Sequence, residues 1–361
     1  MAAPNIWEYI RGWKKILEPY IENYLAALIE KQKNRDPRIA ELYEIFREAG
    51  RGGKCIRGSL VGLGYEIALG RAATEEILPA CAAFEVLQTA ILGHDDIIDK
   101  SPLRRGRDSV WRAAARRVAR QAGARHYGIS QAICLGDVGI LLANRLVTES
   151  AFDAEKKFEA LKIFFDVQLN TVDGEMLDVL MSHEKIYDDE EGVLTIASLK
   201  TAWYTIVGPL RLGAVLAGAF QEGAPPGLPD AMKRYGMSLG VAFQLKDDIL
   251  GIDAEEEETG KSGASDIAEG KVTLPAHYAM KRATPEQLER LRLIYGKENV
   301  SESDRNVIRD IFESTGAFAE TIGKMETYLA AAREVIPEIT QDAEKTELLE
   351  QLCDLMLQRK S

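Results

Sequence analysis

Apolar residues recur with the spacing of an α-helix through almost the whole of this 361-residue chain. The alternation typical of half-buried strands is scarce, and no segment forms a convincing hairpin pattern. Glycine and proline interrupt the helical pattern in three main places, at 50–53, 223–229 and 260–270. Because no flexible linker and no repeat of fixed period divides the chain, the sequence predicts an all-α protein, a large bundle whose core helices are apolar on most faces.

The breakers and caps set the boundaries of the expected helices. These helices are 6–32, 38–49, 55–69, 74–100, 108–123, 129–149, 152–183, 194–219, 229–254, 272–282, 286–296, 302–314, 317–334 and 339–358. We expect them to form a single domain over 1–361, in which about 40–280 carries the motifs described below and 286–358 adds the C-terminal helices.

Composition narrows the possible partners and location. The formal net charge is −12, which argues against nucleic acid as the main partner, since nucleic-acid-binding proteins usually carry a basic face. The four cysteines are scattered without zinc-type spacing, so we expect reduced thiols in a cytoplasmic protein. The N-terminus lacks the features of a signal peptide, and no apolar run reaches the ~18 residues of a membrane span, so we expect no stable membrane insertion.

Two acidic clusters, at 95–99 and 247–251, each end an apolar helical stretch. Asp95 and Asp99 are four residues apart and therefore share a helix face, with Asp96 beside them, and Asp247 and Asp248 form the second cluster. Like charges about 4 Å apart repel by on the order of 4 kcal/mol at an effective dielectric of about 20. Carboxylate oxygens suit hard divalent ions, so both clusters predict Mg²⁺ sites.

Basic residues lie close to these clusters in the sequence. Gly52-Gly53-Lys54-Cys55-Ile56-Arg57 joins a glycine turn to a helix start, where free N–H groups favour an anion and Lys54 and Arg57 are expected to share a face. The first acidic cluster is followed by Leu103-Arg104-Arg105-Gly106, and arginine binds phosphate through two hydrogen bonds at once. Further cations are Lys200, Lys261 and Lys271. Acidic clusters beside basic ones predict a polyphosphate ligand.

These strings together resemble the trans-isoprenyl diphosphate synthases, the polyprenyl synthetase family. The resemblance covers roughly residues 40–280 and includes, in order, Gly52-Gly53-Lys54-x-x-Arg57, Gln88 to Asp99, Leu103-Arg104-Arg105-Gly106, Gly136-Asp137, Lys200-Thr201, Phe243 to Gly251 and Thr259 to Lys271. It implies a helical bundle of the isoprenoid synthase type with a central active-site cavity. The implied enzyme is a trans-polyprenyl diphosphate synthase, which joins isopentenyl diphosphate head-to-tail to an allylic diphosphate through Mg²⁺-assisted ionisation.

The resemblance also implies a role for each matching residue. The metal ligands would be Asp95, Asp96, Asp99, Asp247 and Asp248, holding three Mg²⁺ ions once substrate is bound. The allylic diphosphate would be bound by Arg104, Lys200, Lys261 and Lys271. Isopentenyl diphosphate would be bound by Gly53, Lys54, Arg57, Gln88 and Arg105. The groups nearest the chemistry would be Lys200, Thr201, Gln244 and Arg104. One departure is Gly174-Glu175, which stands where the family commonly has Gly-Gln.

The resemblance places a product tunnel along the helix before Asp99, so the residues one to two turns upstream should set the chain length. These residues are Ala90, Ile91 and Leu87. Short-chain members of the family usually place an aromatic side chain at the first or second of these positions, and neither is aromatic here. We therefore expect a product of about twenty carbons, geranylgeranyl diphosphate, or longer.

Other functions remain open at this point. A class I terpene cyclase has the same fold but needs no isopentenyl diphosphate site, and a farnesyl diphosphate synthase would make a shorter product. A non-enzymatic helical subunit would be expected to have lost catalytic aspartates, which are present here. The family usually forms homodimers, and the apolar stretch 128–142 is compatible with such an interface.

Overall fold

The computed structural model of the protein describes residues 5–221, 227–253, 265–297 and 299–358. Helices account for nearly all of the regular structure in these ranges, which confirms the all-α fold class. They group into two compact units. The first contains the described residues of Met1–Phe164 and Pro209–Pro225, and the second contains those of Phe165–Gly208 and Pro226–Ser361. The expectation of one domain over the whole chain stays a prediction.

The first unit is built around the helix that ends in the first acidic cluster. Its helices are α1 (Ile6–Arg35), α2 (Pro37–Gly50), α3 (Ile56–Leu69), α4 (Leu78–Ile98), α5 (Val110–Arg117), α6 (Ala124–Thr148), the start of α7 (Ala154–Glu184) and most of α9 (Gly208–Leu216). Residues 80–84 of α4 have no exposed surface, and α4 lies against α3 and α6. Phe84 stacks edge-on against Phe164 at 5.0 Å between ring centroids, so α4 is held by apolar burial.

The second unit surrounds the helix that carries the second acidic cluster. Besides the rest of α7 it contains α8 (Glu190–Ile196), a π-helix (Ala197–Val207), α10 (Leu228–Asp253), α11 (Ser265–Glu269), α12 (Leu274–Arg282), α13 (Pro285–Ile294), α14 (Glu302–Ser314), α15 (Ala317–Ile339) and α16 (Ala343–Gln358). The helix α10 lies against the π-helix and α15. The buried Tyr235 donates its hydroxyl hydrogen bond to the Leu349 carbonyl at 2.8 Å, which fastens α16 to α10.

The expectation that the chain contains no hairpin is wrong at one place. Strands β1 (Leu103–Arg104) and β2 (Arg107–Asp108) pair in antiparallel register. Their two-residue turn has positive φ at both positions, 53° at Arg105 and 72° at Gly106, as a type I′ hairpin turn requires. The strands were missed because two residues on each side are too few to produce an alternating pattern.

Most predicted helices are present, with shifted boundaries. The predicted helix 108–123 is the shorter α5, and the predicted helix 194–219 is broken into α8, the π-helix and α9. The expected break at 260–270 contains the short helix α11. Tertiary contacts outweigh local propensity at such sites, so boundary shifts of this kind are ordinary.

Two helical stretches of the described chain are long and apolar enough to cross a membrane, Glu75–Ile98 and Ala124–Thr148. Buried core helices of soluble proteins meet the same criteria, and 56% of the best window in the first stretch is buried. All four cysteines are described and none forms a disulfide. The cytoplasmic location stays a prediction.

Candidate active site

The first acidic cluster closes the C-terminal end of α4. The Asp99 N–H donates to the Asp95 carbonyl at 2.8 Å, so the helical path continues through both residues and they share a face as predicted. Arg104, on strand β1, places Nη2 2.8 Å from Asp95 Oδ2 and 2.5 Å from Asp96 Oδ1. Burial acts to lower the pKa of Arg104, but the two carboxylates outweigh it and raise that pKa. Arg104 therefore offsets part of the repulsion within the cluster.

A tryptophan that sequence reasoning did not single out fixes the end of this cluster. The Trp111 indole N–H lies 2.8 Å from the Ser101 carbonyl and 3.2 Å from the Asp96 carbonyl. The Ser101 N–H in turn donates to the Asp96 carbonyl at 2.9 Å. Since carbonyls at a helix end lack intrahelical partners, these bonds tie α5 to the aspartate-bearing turn. In the sequence, the only signal for Trp111 was its position near the start of an amphipathic, arginine-rich helix.

The segment Gly52-Gly53-Lys54 joins the following helix, α3, in a different way from the one predicted. Helix α3 begins at Ile56, preceded by Cys55 in the left-handed region at φ 56°. Lys54 therefore lies outside the helix, and the expectation that it shares a helix face with Arg57 is wrong. Cys55 at positive φ redirects the chain before the first helical turn.

The N-terminus of α3 already binds one carboxylate of the protein. The Gly58 N–H donates to Glu85 Oε1 at 2.8 Å. Burial raises the pKa of Glu85, while this N–H and the nearby guanidinium groups of Arg57 and Arg105 oppose the rise. Glu85 was not predicted from the sequence, because a single glutamate on an apolar helix has no recognisable spacing. It belongs to the wall of the cavity described next.

A cavity of about 340 Å³ lies within the first unit, between α2, α4 and the start of α5. Three of the five residues predicted to bind isopentenyl diphosphate line it: Gly53, Gln88 and Arg105. Asp96 and Arg104 line it as well, so the cavity reaches the first acidic cluster. Burial and the neighbouring Arg104 lower the pKa of Arg105. An anionic ligand would relieve that repulsion between the two guanidinium groups.

In the second unit, Lys200 lies in the π-helix between two carboxylates of α7. Its Nζ is 2.6 Å from Glu175 Oε2 and 2.8 Å from Asp178 Oδ2. Gly174 makes this approach possible, because a Cβ at that position would lie 2.4 Å from the Lys200 backbone nitrogen. A π-helix is an uncommon, wider turn that is often found at functional sites. Glu175, noted from the sequence only as a departure from the family, is thus a direct partner of a predicted catalytic lysine.

Thr201, Gln244 and Asp248 form a hydrogen-bonded series. The Thr201 hydroxyl donates to Gln244 Oε1, and Gln244 Nε2 donates to Asp248 Oδ1 at 2.8 Å. Burial raises the pKa of Asp248 to about 7, against the hydrogen bond from Gln244. Three nearby carboxylates act in the same direction as burial: Asp266, Asp247 and Asp178. A set of carboxylates that disfavours its own ionisation fits a divalent cation.

The remaining predicted residues are placed as follows. Lys271 Nζ is 3.2 Å from Glu269 Oε2 and 4.0 Å from Asp266 Oδ1, and Lys261 lies outside the described residues. Ala90 is fully buried against α6. A Cβ added at Gly139 of α6 would lie 2.7 Å from the Cβ of Ala90. Leu87 is also buried and Ile91 is half-buried.

Among the described residues, no group of three or more His, Cys, Asp and Glu side chains forms a ready-made metal cage. Mg²⁺ is usually bound by one or two carboxylates together with water and substrate phosphates. The carboxylate oxygens of the aspartates in each unit are the type of ligand that Mg²⁺ prefers.

Comparison with known proteins identifies the class of protein to which the chain belongs. The all-α architecture is that of the isoprenoid synthase fold, which the polyprenyl synthases similar to it share. The structure is similar to a geranylgeranyl pyrophosphate synthase of Corynebacterium glutamicum complexed with isoprenyl diphosphate and magnesium. The TM-score is 0.86 at 29% identity, over 95% of this chain and 98% of that one. The sequence model of the polyprenyl synthetase family matches residues 39–313. The chain belongs to the polyprenyl synthetase family.

Curated relatives agree with this assignment. The chain is 30% identical over 313 residues to the geranylfarnesyl diphosphate synthase of Aeropyrum pernix, which covers 85% of this chain and 91% of that protein. It is 32% identical over 311 residues to a short chain isoprenyl diphosphate synthase of Methanothermobacter thermautotrophicus, with 85% and 87% covered. The terpene cyclase alternative receives no support from these relatives.

Proposed function

We propose that this protein is a trans-prenyltransferase that joins isopentenyl diphosphate head-to-tail to an allylic diphosphate. The observation that carries the proposal is the cavity lined by Gly53, Gln88 and Arg105, which adjoins the aspartate–arginine cluster of Asp96 and Arg104. A cyclase has no second diphosphate to bind and would not need these residues. We further propose that the product is geranylgeranyl diphosphate or a longer all-trans chain, since no aromatic side chain occupies position 90 or 91.

The aspartates of the two clusters would hold Mg²⁺, three ions with substrate bound, which would supply electrostatic stabilisation of the leaving diphosphate. The cations proposed to neutralise the same leaving group are Arg104, Lys200, Lys261 and Lys271. Ionisation breaks the allylic C1–O bond, and the Thr201 and Gln244 oxygens would stabilise the carbocation. The double bond of isopentenyl diphosphate then attacks C1, and the departing diphosphate accepts the proton lost from the adduct. The protein contributes positioning and fixed charge.

Incubation with Mg²⁺ and farnesyl diphosphate, with and without isopentenyl diphosphate, tests this proposal. We expect longer prenyl diphosphates only when isopentenyl diphosphate is present. Hydrocarbon formed from farnesyl diphosphate alone would identify a cyclase instead. Asp95→Ala and Asp247→Ala should each abolish turnover with little change in melting temperature, whereas the exposed Asp166→Ala on α7 is the control and should retain it. Full turnover by both cluster variants would overturn the metal assignment.

We also propose that the protein is a homodimer that uses α7. Within the second unit, large apolar side chains spaced four, seven, eleven and fifteen residues from Phe165 are exposed on α7: Phe165 48%, Leu169 63%, Val172 54%, Met176 65% and Leu180 48%. A continuous apolar stripe of this length favours a protein interface over water. In the first unit, the predicted segment 128–142 exposes Ile133 and Leu141. Light scattering should give twice the monomer mass, and Leu169→Glu with Met176→Glu should give a folded monomer; a wild-type monomer would refute the dimer.

A further inference from the structure

The cavity of the first unit has a wall to which the motifs assign no function. This wall is the start of α5, where Ser109, Val110 and Ala113 line the cavity together with Arg107 of the hairpin. Ser109 occupies the N-cap position with φ −62° and ψ 162°, the backbone conformation expected of a cap. Its side chain nevertheless makes no capping hydrogen bond to the first turn of the helix. The first-turn N–H groups of α5 therefore receive no hydrogen bond from the side chain at the cap position.

The Ser109 hydroxyl is buried and lacks a hydrogen-bond partner among the described residues. The residue is only 2% exposed, so bulk water does not replace the missing partner. Burying a hydroxyl without a partner costs on the order of 1–3 kcal/mol. The side-chain oxygen of a serine at an N-cap normally accepts a hydrogen bond from a backbone N–H of the helix. Because the Ser109 oxygen makes no such bond, we expect its partner to lie in the cavity.

The charges around this wall favour an anion. The glutamates that line the α2 side are neutralised: Glu41 pairs with Arg117, Glu44 with Arg47 and Glu48 with Arg51. On the hairpin side, Asp108 pairs with Arg112 and Arg116 at 3.3 and 2.7 Å. Arg105 and Arg107 form no ion pair within the described chain. The two other carboxylates that line the cavity are also held, Asp96 by Arg104 and Glu85 by the Gly58 N–H. Arg105 and Arg107 are therefore placed to meet an anion, and the start of an eight-residue helix adds its own preference for negative charge.

We propose that the Ser109 hydroxyl and the first-turn N–H groups of α5 bind the diphosphate of isopentenyl diphosphate, with Arg107 as the neighbouring cation. The proposal rests on the proposed function, since Gly53, Gln88 and Arg105 of the same cavity are assigned to that substrate. Ser109 then defines a further binding residue, which contacts the diphosphate from the wall formed by α5. The proposal assigns Ser109 to isopentenyl diphosphate and not to the allylic diphosphate.

Steady-state kinetics of Ser109→Ala tests this assignment, with the two substrates varied separately. Loss of a hydrogen bond to a charged group should raise KM for isopentenyl diphosphate by about tenfold. KM for the allylic diphosphate should stay within about twofold, because the proposal assigns Ser109 to the other substrate. Ser109→Thr keeps the hydroxyl and should restore most of the affinity. Ser150→Ala is the matched control: Ser150 is also buried, but its hydroxyl bonds the Val147 carbonyl outside the cavity.

The possible outcomes distinguish failure of the Ser109 assignment from failure of the proposed prenyltransferase function. An unchanged KM for isopentenyl diphosphate in Ser109→Ala would mean that the hydroxyl binds water only, and would overturn the inference. Equal losses for both substrates, or equal losses in Ser150→Ala, would indicate a structural role and would overturn it too. Wild-type enzyme that gives no isopentenyl-dependent product would instead refute the proposed function itself.

Discussion

Replacement of Glu175 by Gln should strengthen binding of the allylic diphosphate. In the structure Lys200 Nζ is shared between Glu175 Oε2 at 2.6 Å and Asp178 Oδ2 at 2.8 Å. If Lys200 binds a phosphate oxygen, three negatively charged groups surround one ammonium group, and the phosphate is repelled by the two carboxylates. Glu175→Gln keeps the shape and a hydrogen-bonding oxygen but removes one negative charge. Asp178 remains to orient the lysine, so the amine should stay in place.

The magnitude follows from these distances. A phosphate oxygen about 2.8 Å from Nζ on its open side lies roughly 5.5 Å from Glu175 Oε2. Two unit charges at about 5.5 Å repel by roughly 0.8 kcal/mol in bulk water and about 3 kcal/mol at an effective dielectric of about 20. Glu175 and Lys200 keep 21% and 22% of their side-chain surface exposed, and bound Mg²⁺ would reduce the charge of the diphosphate, so the lower value is the better guide. We expect about 1 kcal/mol, a KM lowered about fivefold.

The assay measures initial rates against allylic diphosphate concentration at saturating isopentenyl diphosphate and Mg²⁺. The fall in KM should shrink at high ionic strength because salt screens the repulsion. Glu184→Gln, an exposed glutamate about 13 Å further along α7, is the matched control and should leave KM unchanged. A KM that rises or stays constant in Glu175→Gln, or that falls equally in Glu184→Gln, would refute the reasoning.

Four further predictions concern single positions. Gly174→Ala should destabilise the protein by about 2 kcal/mol, seen in chemical denaturation, because its Cβ would meet the Lys200 backbone. Lys200→Met should raise KM for the allylic diphosphate at least tenfold in initial-rate assays, since it removes a charge-assisted contact; an unchanged KM would exclude that contact. Trp111→Phe should raise the Mg²⁺ concentration needed for half-maximal rate several-fold, and an unaltered Mg²⁺ titration would show that its bonds do not order the cluster. Ala90→Phe should shorten the product in chromatographic assays but lower the yield of folded protein, because Ala90 faces α6; Ile91→Phe should shorten it with less damage, and unchanged products in both would contradict the tunnel assignment.

The helical fold could be predicted because each helix records its own periodicity in consecutive residues. Features that depend on a few residues or on distant partners could not. The hairpin of β1 and β2 contains two residues per strand, and its only signal was glycine at 106. The π-helix within 197–207 differs from an α-helix by its hydrogen-bond register, which leaves no period of its own in a short apolar segment.

The candidate site divides in the same way. The aspartates and the arginine pair could be selected as candidates from the sequence because they repeat a residue type at fixed spacing, and the order of the strings identified the family. Glu85, Trp111 and Ser109 were not, since each gains its meaning from a contact made by another element. The contact of Glu85 with the start of α3, and the contact of Trp111 with the end of the first acidic cluster, become visible only when the helices are assembled.

Both units show the same electrostatic arrangement, and it constrains how substrate must bind. Arg104 is paired with Asp95 and Asp96, and Lys200 is paired with Glu175 and Asp178. If a diphosphate binds together with Mg²⁺, the phosphate would pair with Arg104 or Lys200, and the aspartates would hold the metal. Each exchange replaces one charge-assisted contact with another, so the net gain is a small difference between large terms. Affinity should depend steeply on Mg²⁺, because phosphate alone would leave the aspartates of the first cluster without their cation.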